Sequence, residues 1–549
     1  MSTVVSLYVW AFLSFSTLLT LYIYTNDRKI TRLPDDWKSL TTTTRCTPDE
    51  VRATAKRLAK RPPSIDDQLP PSTGRRYIVV GGGGFLGGWI ATQLLDRGEQ
   101  PTHIRLLDIR PPPSKALQDA LKRGVQFIQV DISSSSSVLS AFSSPWPSSV
   151  PEDAEITIFH TAANIRFYER YTWQLPLSAR VNVDGTKNVI DAAKKIGATT
   201  LVYTSSGSIG IRSNRFLLWP WERSPKFHTQ IIRDEDQERE KTWSHEDFFS
   251  NYAVSKSMGE RLVRSANGQP VQPLGSTQAT PTILRTGCIR PGNGVFGPRG
   301  DMLCGAYVAR KTNPTWIQSL ISSHCYVENC ALAHLLYEQR LIALSQPPPD
   351  TQSPLADISG QSFNICDPGP TPTNGDVFTT LTTLTHSECI FHFLPPTFML
   401  LFAYLIEFYY TLPSFFFTHL KLPRITGNMI NLQPSLFSLT QVHLIFDDYR
   451  ARLSPEKGGL GYRGGWTTLE ALHKTVEEHY KSLSDGSVRA DNAGISLDFN
   501  IGFGWGKKKS TGVAAKGGQG LKPKVVEAVE VGSEMVGNAI APVEVVSLQ

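Results

Sequence analysis

YIVVGGGGFLGGWIATQLLDRG, residues 77–98, decides the fold. Tyr77–Val80 reads as a short buried strand, and it runs directly into a glycine turn in which Gly81, Gly84 and Gly87 stand three apart. The stretch after Phe85 and Leu86 is helical in pattern and closes on Gly98. Strand, tight glycine turn and helix in that order let the backbone approach an anion closely, with the free amides of the first helical turn as donors. Asp108, 21 residues after Gly87 at the end of LLD, supplies a carboxylate where both hydroxyls of an adenine ribose would lie. The pattern therefore predicts a dinucleotide site built from Gly81, Gly84, Phe85, Leu86, Gly87 and Asp108. Asp108 favours NAD over NADP, because its charge repels a 2′-phosphate, although Arg110 two residues on would attract one. Asp131, after the third strand, has two readings that can hold together: passing the adenine ring, or capping the Ser-rich stretch that follows.

Further strands follow at 103–109, 125–130, 155–160, 199–205 and 281–287, alternating with helix-like segments. That alternation predicts βαβ units and a parallel α/β sheet. The chain has 549 residues, 40% of them hydrophobic and 19% charged, which excludes a wholly disordered chain. A net charge of +6 with no dense basic stripe makes nucleic acid a poor partner. Seven cysteines (46, 288, 304, 325, 330, 366 and 389) without CxxC spacing point to reduced structural thiols and to no metal.

The charge-free run Val4–Tyr24 is 21 residues long, enough at about 1.5 Å per residue to cross a bilayer core, and is expected to be a membrane anchor within residues 1–26. Arg28, Lys29, Arg32 and Lys38 follow it, which puts the remainder on the cytosolic side. Residues 27–74 read as a polar tether. Residues 484–549, rich in Gly, Lys, Ala and Val, read as a disordered tail.

In NYAVSK, Tyr252 and Lys256 are four apart and so share a helix face. A tyrosine beside an ammonium and a cationic nicotinamide is expected to ionise more readily and act as a general base, with Lys256 also holding the nicotinamide ribose. A serine of YTSSGS, at the carboxyl end of a strand, would orient the substrate oxygen; Ser206 is the choice and Ser205 the alternative, possessed of a capping role instead. His160 reads as a packing residue, and Trp89 as a fluorescent reporter if it stands close to the cofactor.

Taken together, VVGGGGFLGG (79–88), LLDIR (106–110), FHTAA (159–163), NVDGTKNVIDAA (182–193), LVYTSSGS (201–208), YAVSK (252–256), RPGNGVFGPRGD (290–301) and YVENCALAH (326–334) resemble the extended short-chain dehydrogenase/reductases, in particular the 3β-hydroxysteroid dehydrogenase group. The resemblance covers about residues 75–480, and YVEN with ALAH is similar to the sterol 4α-carboxylate 3-dehydrogenases. It implies a Rossmann-type doubly wound sheet over 75–290, a substrate-binding region over 291–483, NAD as cofactor, and a catalytic triad of Ser206, Tyr252 and Lys256. It further implies oxidation of a sterol 3β-hydroxyl at the endoplasmic reticulum membrane. The alternatives left open are a dehydrogenase/isomerase, a dehydrogenase of another lipophilic alcohol, and an inactive membrane scaffold. A homodimer and a complex of sterol-biosynthesis enzymes also stand open as assemblies.

Two features depart from the family. Val80 stands where a threonine is usual, and the 46 positions from Ser206 to Tyr252 include an apparent insertion at 216–240. Its WPW (219–221) reads as a lid or membrane contact, and its charged remainder as a solvated face. Residues 389–420, aromatic but broken by prolines and carrying Glu407, read as an interfacial helical hairpin, with a buried lid as the alternative.

Overall fold

The computed structural model describes residues 2–484 except 36, 38–45, 235–241, 272–281, 346–354, 416–424 and 426. The expected tail from 485 onward and the charged part of the insertion after Asp234 therefore lie outside the described residues; Asp234 itself is buried, its Oδ1 accepting Asn364 N–H at 2.6 Å, and is not on a solvated face. Seven strands form one sheet: β1 (Arg76–Val80), β2 (Ile104–Asp108), β3 (Gln126–Gln129), β4 (Ile156–His160), β5 (Thr200–Thr204), β6 (Arg285–Pro291) and β7 (Ser362–Ile365). Their order across the sheet is 7-6-5-4-1-2-3, and every pairing is parallel. Helices such as Phe85–Asp96, Thr186–Lys195 and Val327–Ala343 cover both faces, so the central strands are buried throughout and read as continuous apolar runs. The strand order reverses between β1 and β4, and the crevice there opens at their carboxyl ends. Five of the six strands expected from the sequence start within one residue of where the structure has them. The sixth, expected at 281–287, begins at Arg285, and β7 was not anticipated.

The chain beyond β6 is not set apart from this sheet, since β7 returns to its edge. It also builds small parallel pairs: His443–Phe446 with Thr229–Ile232, and Thr312–Thr315 with Ile390–Phe393. The 216–240 insertion thus contributes a strand to the C-terminal half.

The N-terminal helix runs over Ser2–Ile30, longer than the apolar run alone, because Asn26–Ile30 find partners on the body. Asn26 Nδ2 donates to Phe216 O at 2.9 Å and Thr397 Oγ1 at 2.7 Å, Asp27 Oδ1 accepts from Thr397 N at 2.8 Å, and Ile30 is fully buried. The Ile30 carbonyl receives His228 Nε2 and Gln441 Nε2, both at 2.9 Å. Burying one such isoleucine stabilises by roughly 1.5–3 kcal/mol. Beyond it, Pro48–Lys60 begins on a Thr47–Glu50 capping box and packs on Asn374–Leu384, and Arg57 pairs with Glu470. The expected tether is therefore folded onto the body wherever it is described; its polar composition reflects a surface layer, not a free linker.

In the apolar stretch after Cys389, Ile390–Phe393 forms a strand and Pro396–Phe415 one helix, while residues 416–420 of the expected hairpin lie outside the described residues. Glu407, which looked like an interruption, is buried and takes a bidentate pair from Arg170, 2.7 Å to each oxygen. The helix is thereby locked on the body.

Candidate active site

The glycine loop is seated on the neighbouring strand: Gly81 N–H donates to Leu107 O at 2.7 Å, and Gly84 N–H closes the turn on Gly81 O at 3.0 Å. Gly81 has φ +83°, and a Cβ there would lie 2.6 Å from Ala162 N. A Cβ on Gly87 would stand 2.2 Å from Gly81 O, so no side chain fits between helix and loop. Gly84 is the N-cap of Phe85–Asp96 and brings no side chain to its first-turn amides. The cradle is open, donor-rich and held by backbone, and these residues fit a pyrophosphate.

Asp108 stands beside it, its Oδ2 accepting Gly83 N–H at 3.1 Å and its Oδ1 facing Arg110 N at 3.4 Å. Burial raises its pKa, and the N–H groups of Arg110, Ile109 and Gly83 pull the other way. Asp131 is exposed and lines the same crevice. Its Oδ1 accepts Ser133 N–H at 2.9 Å, but the cap of the following helix is Ser134, whose Oγ accepts from Ser137 N. The capping role expected for Asp131 thus belongs to the residue three on, and Asp131 holds the turn before it.

The helix Asn251–Ser265 starts on a Ser250 cap and brings Tyr252 and Lys256 to the cavity that Ser206 lines from the end of β5. The two serines differ in their bonding. Ser205 is buried and donates to Glu260, whereas Ser206 is half-buried, its Oγ 2.7 Å from Ser208 Oγ. Tyr252 is pushed up to about 12 by burial, with the Ser206 side chain pulling it down. Lys256, 1% exposed, is brought down to about 7 by burial, against the attraction of Glu260. Its Nζ donates to Thr204 O at 2.6 Å and lies 4.4 Å from the Tyr203 ring centroid. The Lys256 ammonium is engaged by the strand end, and the forces on the Tyr252 phenol are burial, which raises its pKa, and the Ser206 side chain, which lowers it.

Several supporting groups carried no signal that motif spacing isolates. Glu260, one turn beyond Lys256, forms a buried pair with Arg290 of β6 at 2.8 Å, and although burial raises its pKa, Arg290 more than offsets this. Asn182 sits in the π-helical turn Arg180–Gly185; it accepts Asn164 N at 2.7 Å and donates to Asn164 O at 3.0 Å and Ser255 Oγ at 2.9 Å. His334 Nε2 lies 2.7 Å from Thr204 Oγ1, bracing the residue that holds Lys256. His160 is fully buried against Tyr203, and burial, with Lys256 adding to it, lowers its pKa to about 3, so it packs as a neutral ring. Trp89 does not line the cavity: its Nε1 donates to Pro298 O at 3.2 Å and its ring lies under Arg299.

The cavity encloses about 880 Å³. From the loop and triad it extends along Phe167, Phe249, Trp316, Leu436 and Val442, an apolar wall suited to a rigid lipophilic ligand. Among its described lining residues the only carboxylates, Asp108 and Asp131, stand at the ends of β2 and β3. All seven cysteines are free thiols, six of them buried, and no cluster of metal-ligating side chains occurs among the described residues.

Residues 78–387 match the model of the 3-beta hydroxysteroid dehydrogenase/isomerase family. A 3beta-hydroxysteroid-dehydrogenase/decarboxylase isoform 1 of Arabidopsis thaliana is 27% identical, over 74% of this chain and 80% of its own. The decarboxylating sterol-4-alpha-carboxylate 3-dehydrogenase ERG26 of Candida albicans is 28% identical over 54% of this chain and 71% of its own. A short-chain dehydrogenase/reductase family 42E member 1 of Macaca fascicularis is 26% identical over 75% and 89%.

Proposed function

Because the chain belongs to the 3-beta hydroxysteroid dehydrogenase/isomerase family, we propose that it oxidises the 3β-hydroxyl of a sterol with NAD, and that its substrate carries a 4α-carboxylate lost as carbon dioxide. The observation that carries the reading is one cavity in which an open phosphate cradle, the Ser206–Tyr252 pair and a long apolar wall meet. Bound NAD supplies the hydride acceptor and, when oxidised, a positive charge. Gly81, Gly84, Phe85, Leu86 and Gly87 hold the pyrophosphate, Asp108 the adenine ribose, and Asp131 the turn beside it. Ser206 holds the substrate oxygen against Tyr252, whose phenolate, favoured by the Ser206 hydroxyl and by the positive charge that oxidised NAD would bring, receives the hydroxyl proton as the C3–H bond breaks. Lys256, fixed on Thr204 O, is positioned to bind the nicotinamide ribose and carry that proton onward.

Oxidation of a 4α-carboxysterol gives a β-keto acid, which loses carbon dioxide to an enolate without a further acid at C4. A dehydrogenase/isomerase must instead move a proton between C4 and C6. The carboxylates lining the cavity, Asp108 and Asp131, stand at the dinucleotide end, which favours the decarboxylating reading. The helix Ser2–Ile30, with a 27-residue apolar span from Val4, is the anchor we assign to the endoplasmic reticulum membrane, with the body on the cytosolic side.

The test is NADH formation by the membrane-bound protein with a 4α-carboxysterol and with a 4-unsubstituted 3β-hydroxysteroid, products analysed by mass, beside Tyr252→Phe. Tyr252-dependent loss of carbon dioxide supports the proposal. A conjugated enone from the second substrate replaces it with the isomerase, and no NADH from either overturns the sterol assignment.

A further inference from the structure

The helix Pro396–Phe415 has an unusual outer face. Its buried side, Met399, Leu400, Ala403 and Ile406, packs into the body, yet its exposed side carries Phe398, Leu405 and Phe408 at 56%, 64% and 62% exposure. Leu401 between them and Leu412 one turn beyond are apolar too, and no charge lies on that face. A helix apolar on both sides is not stable in water at such exposure unless something covers it.

Three elements meet around residues 22–29 of the N-terminal helix. The start of Pro396–Phe415 is joined to Asn26 and Asp27 through Thr397. The loop of the insertion is joined through Phe216 and Leu218 to Asn26, and through Pro220 O to Lys29 Nζ at 2.9 Å. That loop holds Trp219 and Trp221, stacked 5.3 Å apart and 58% and 75% exposed. The apolar span Val4–Ile30, none of it buried in its most apolar window, thus leaves the body through a collar of exposed aromatic side chains with Arg28 and Lys29 at the same level. Paired tryptophans and basic residues at the end of an apolar span are what a membrane–water interface accommodates.

We propose that this collar is a second, monotopic membrane contact: Trp219, Trp221 and the Phe398–Leu405–Phe408 face lie in the interfacial layer of the bilayer that Val4–Tyr24 enters. The occupant is lipid rather than a second copy, because the face adjoins, through Thr397 and Asn26, a helix whose exposed apolar run Val4–Tyr24 is long enough to cross a bilayer. The same hydrophobic cluster contains Phe167 and Trp316, which line the active cavity, so the wall that would receive a lipophilic substrate is the inner side of the membrane-facing layer.

The test uses the full-length protein in phosphatidylcholine vesicles whose acyl chains are brominated near the headgroup, which quench tryptophan at that depth. Quenching that falls in Trp219→Phe/Trp221→Phe, while Trp10 remains, supports the contact; equal quenching in both proteins overturns it for the loop. For the helix, Phe408→Cys is labelled with an environment-sensitive fluorophore in a Cys46→Ser background. Blue-shifted emission quenched by brominated lipid supports the proposal. Emission accessible to aqueous iodide overturns it, and so does a label shielded from both quenchers, which would assign the face to a second copy. Neither readout requires turnover, so failure here is separable from failure of the sterol assignment.

Discussion

Lys256 Nζ lies 2.6 Å from the carbonyl oxygen of Thr204, and with its ammonium buried there its pKa is brought down to about 7. The unfolded chain keeps this lysine protonated to near pH 10.5, so between pH 7 and pH 10.5 the unfolded state binds more protons and stability rises with pH; below pH 7 the full penalty, on the order of 5 kcal/mol, is present. Lys256→Met removes the penalty. The stability difference between Lys256→Met and the parent, followed by thermal unfolding, is expected to be largest at pH 6–7 and to shrink towards pH 10; a difference independent of pH would contradict the assignment.

Tyr252→Phe removes the phenolic oxygen but leaves the ring and the glycine cradle. Turnover should fall by about 10²–10⁴-fold, with dinucleotide affinity retained. Ser206→Ala should lower turnover in the same direction, while Ser205→Ala, whose hydroxyl is spent on Glu260, should act mainly on stability. Steady-state kinetics beside dinucleotide titration separate these cases.

A Cβ on Gly87 would stand 2.2 Å from Gly81 O, whereas one on Gly84 would stand 3.2 Å from the same atom. Gly87→Ala should therefore abolish dinucleotide binding measured by calorimetry, and Gly84→Ala should weaken it less. Equal effects would mean that the loop shifts freely.

Removing one member of the Glu260–Arg290 pair leaves the other charge buried and uncompensated. Glu260→Gln should destabilise by about 3–5 kcal/mol in denaturant unfolding, and Glu260→Gln/Arg290→Met by less than the sum of the single changes. Additivity would show that the two charges are not coupled.

Asp108→Ser keeps a hydrogen-bonding side chain and removes the charge beside Arg110. Preference should move from NAD towards NADP, read as the ratio of kcat/KM for the two cofactors, with binding of the pyrophosphate intact.

The sheet and the cradle were legible because their signals are local: a buried strand, a glycine turn and a helix lie within Tyr77–Gly98, and Tyr252 and Lys256 share a face by spacing alone. What escaped has long-range partners. Glu407 breaks an apolar pattern until Arg170, 237 positions away, is beside it. Ile30 looks like the start of a linker because its partners His228 and Gln441 lie 198 and 411 positions away. Asp131 and Ser134 both suit a helix start, and only the backbone geometry distinguishes them. The direction of the Lys256 ammonium follows from the Thr204 carbonyl, which no side-chain pattern records.

The docking of Asn26, Asp27 and Ile30 leaves the N-terminal helix no joint where it meets the body. A protein on a leash tumbles and finds its target surface by chance encounter. With the helix anchored as proposed, strut and load move as one piece, whose remaining freedoms are drift and spin in the plane of the bilayer, and the mouth of the cavity keeps one attitude to that plane.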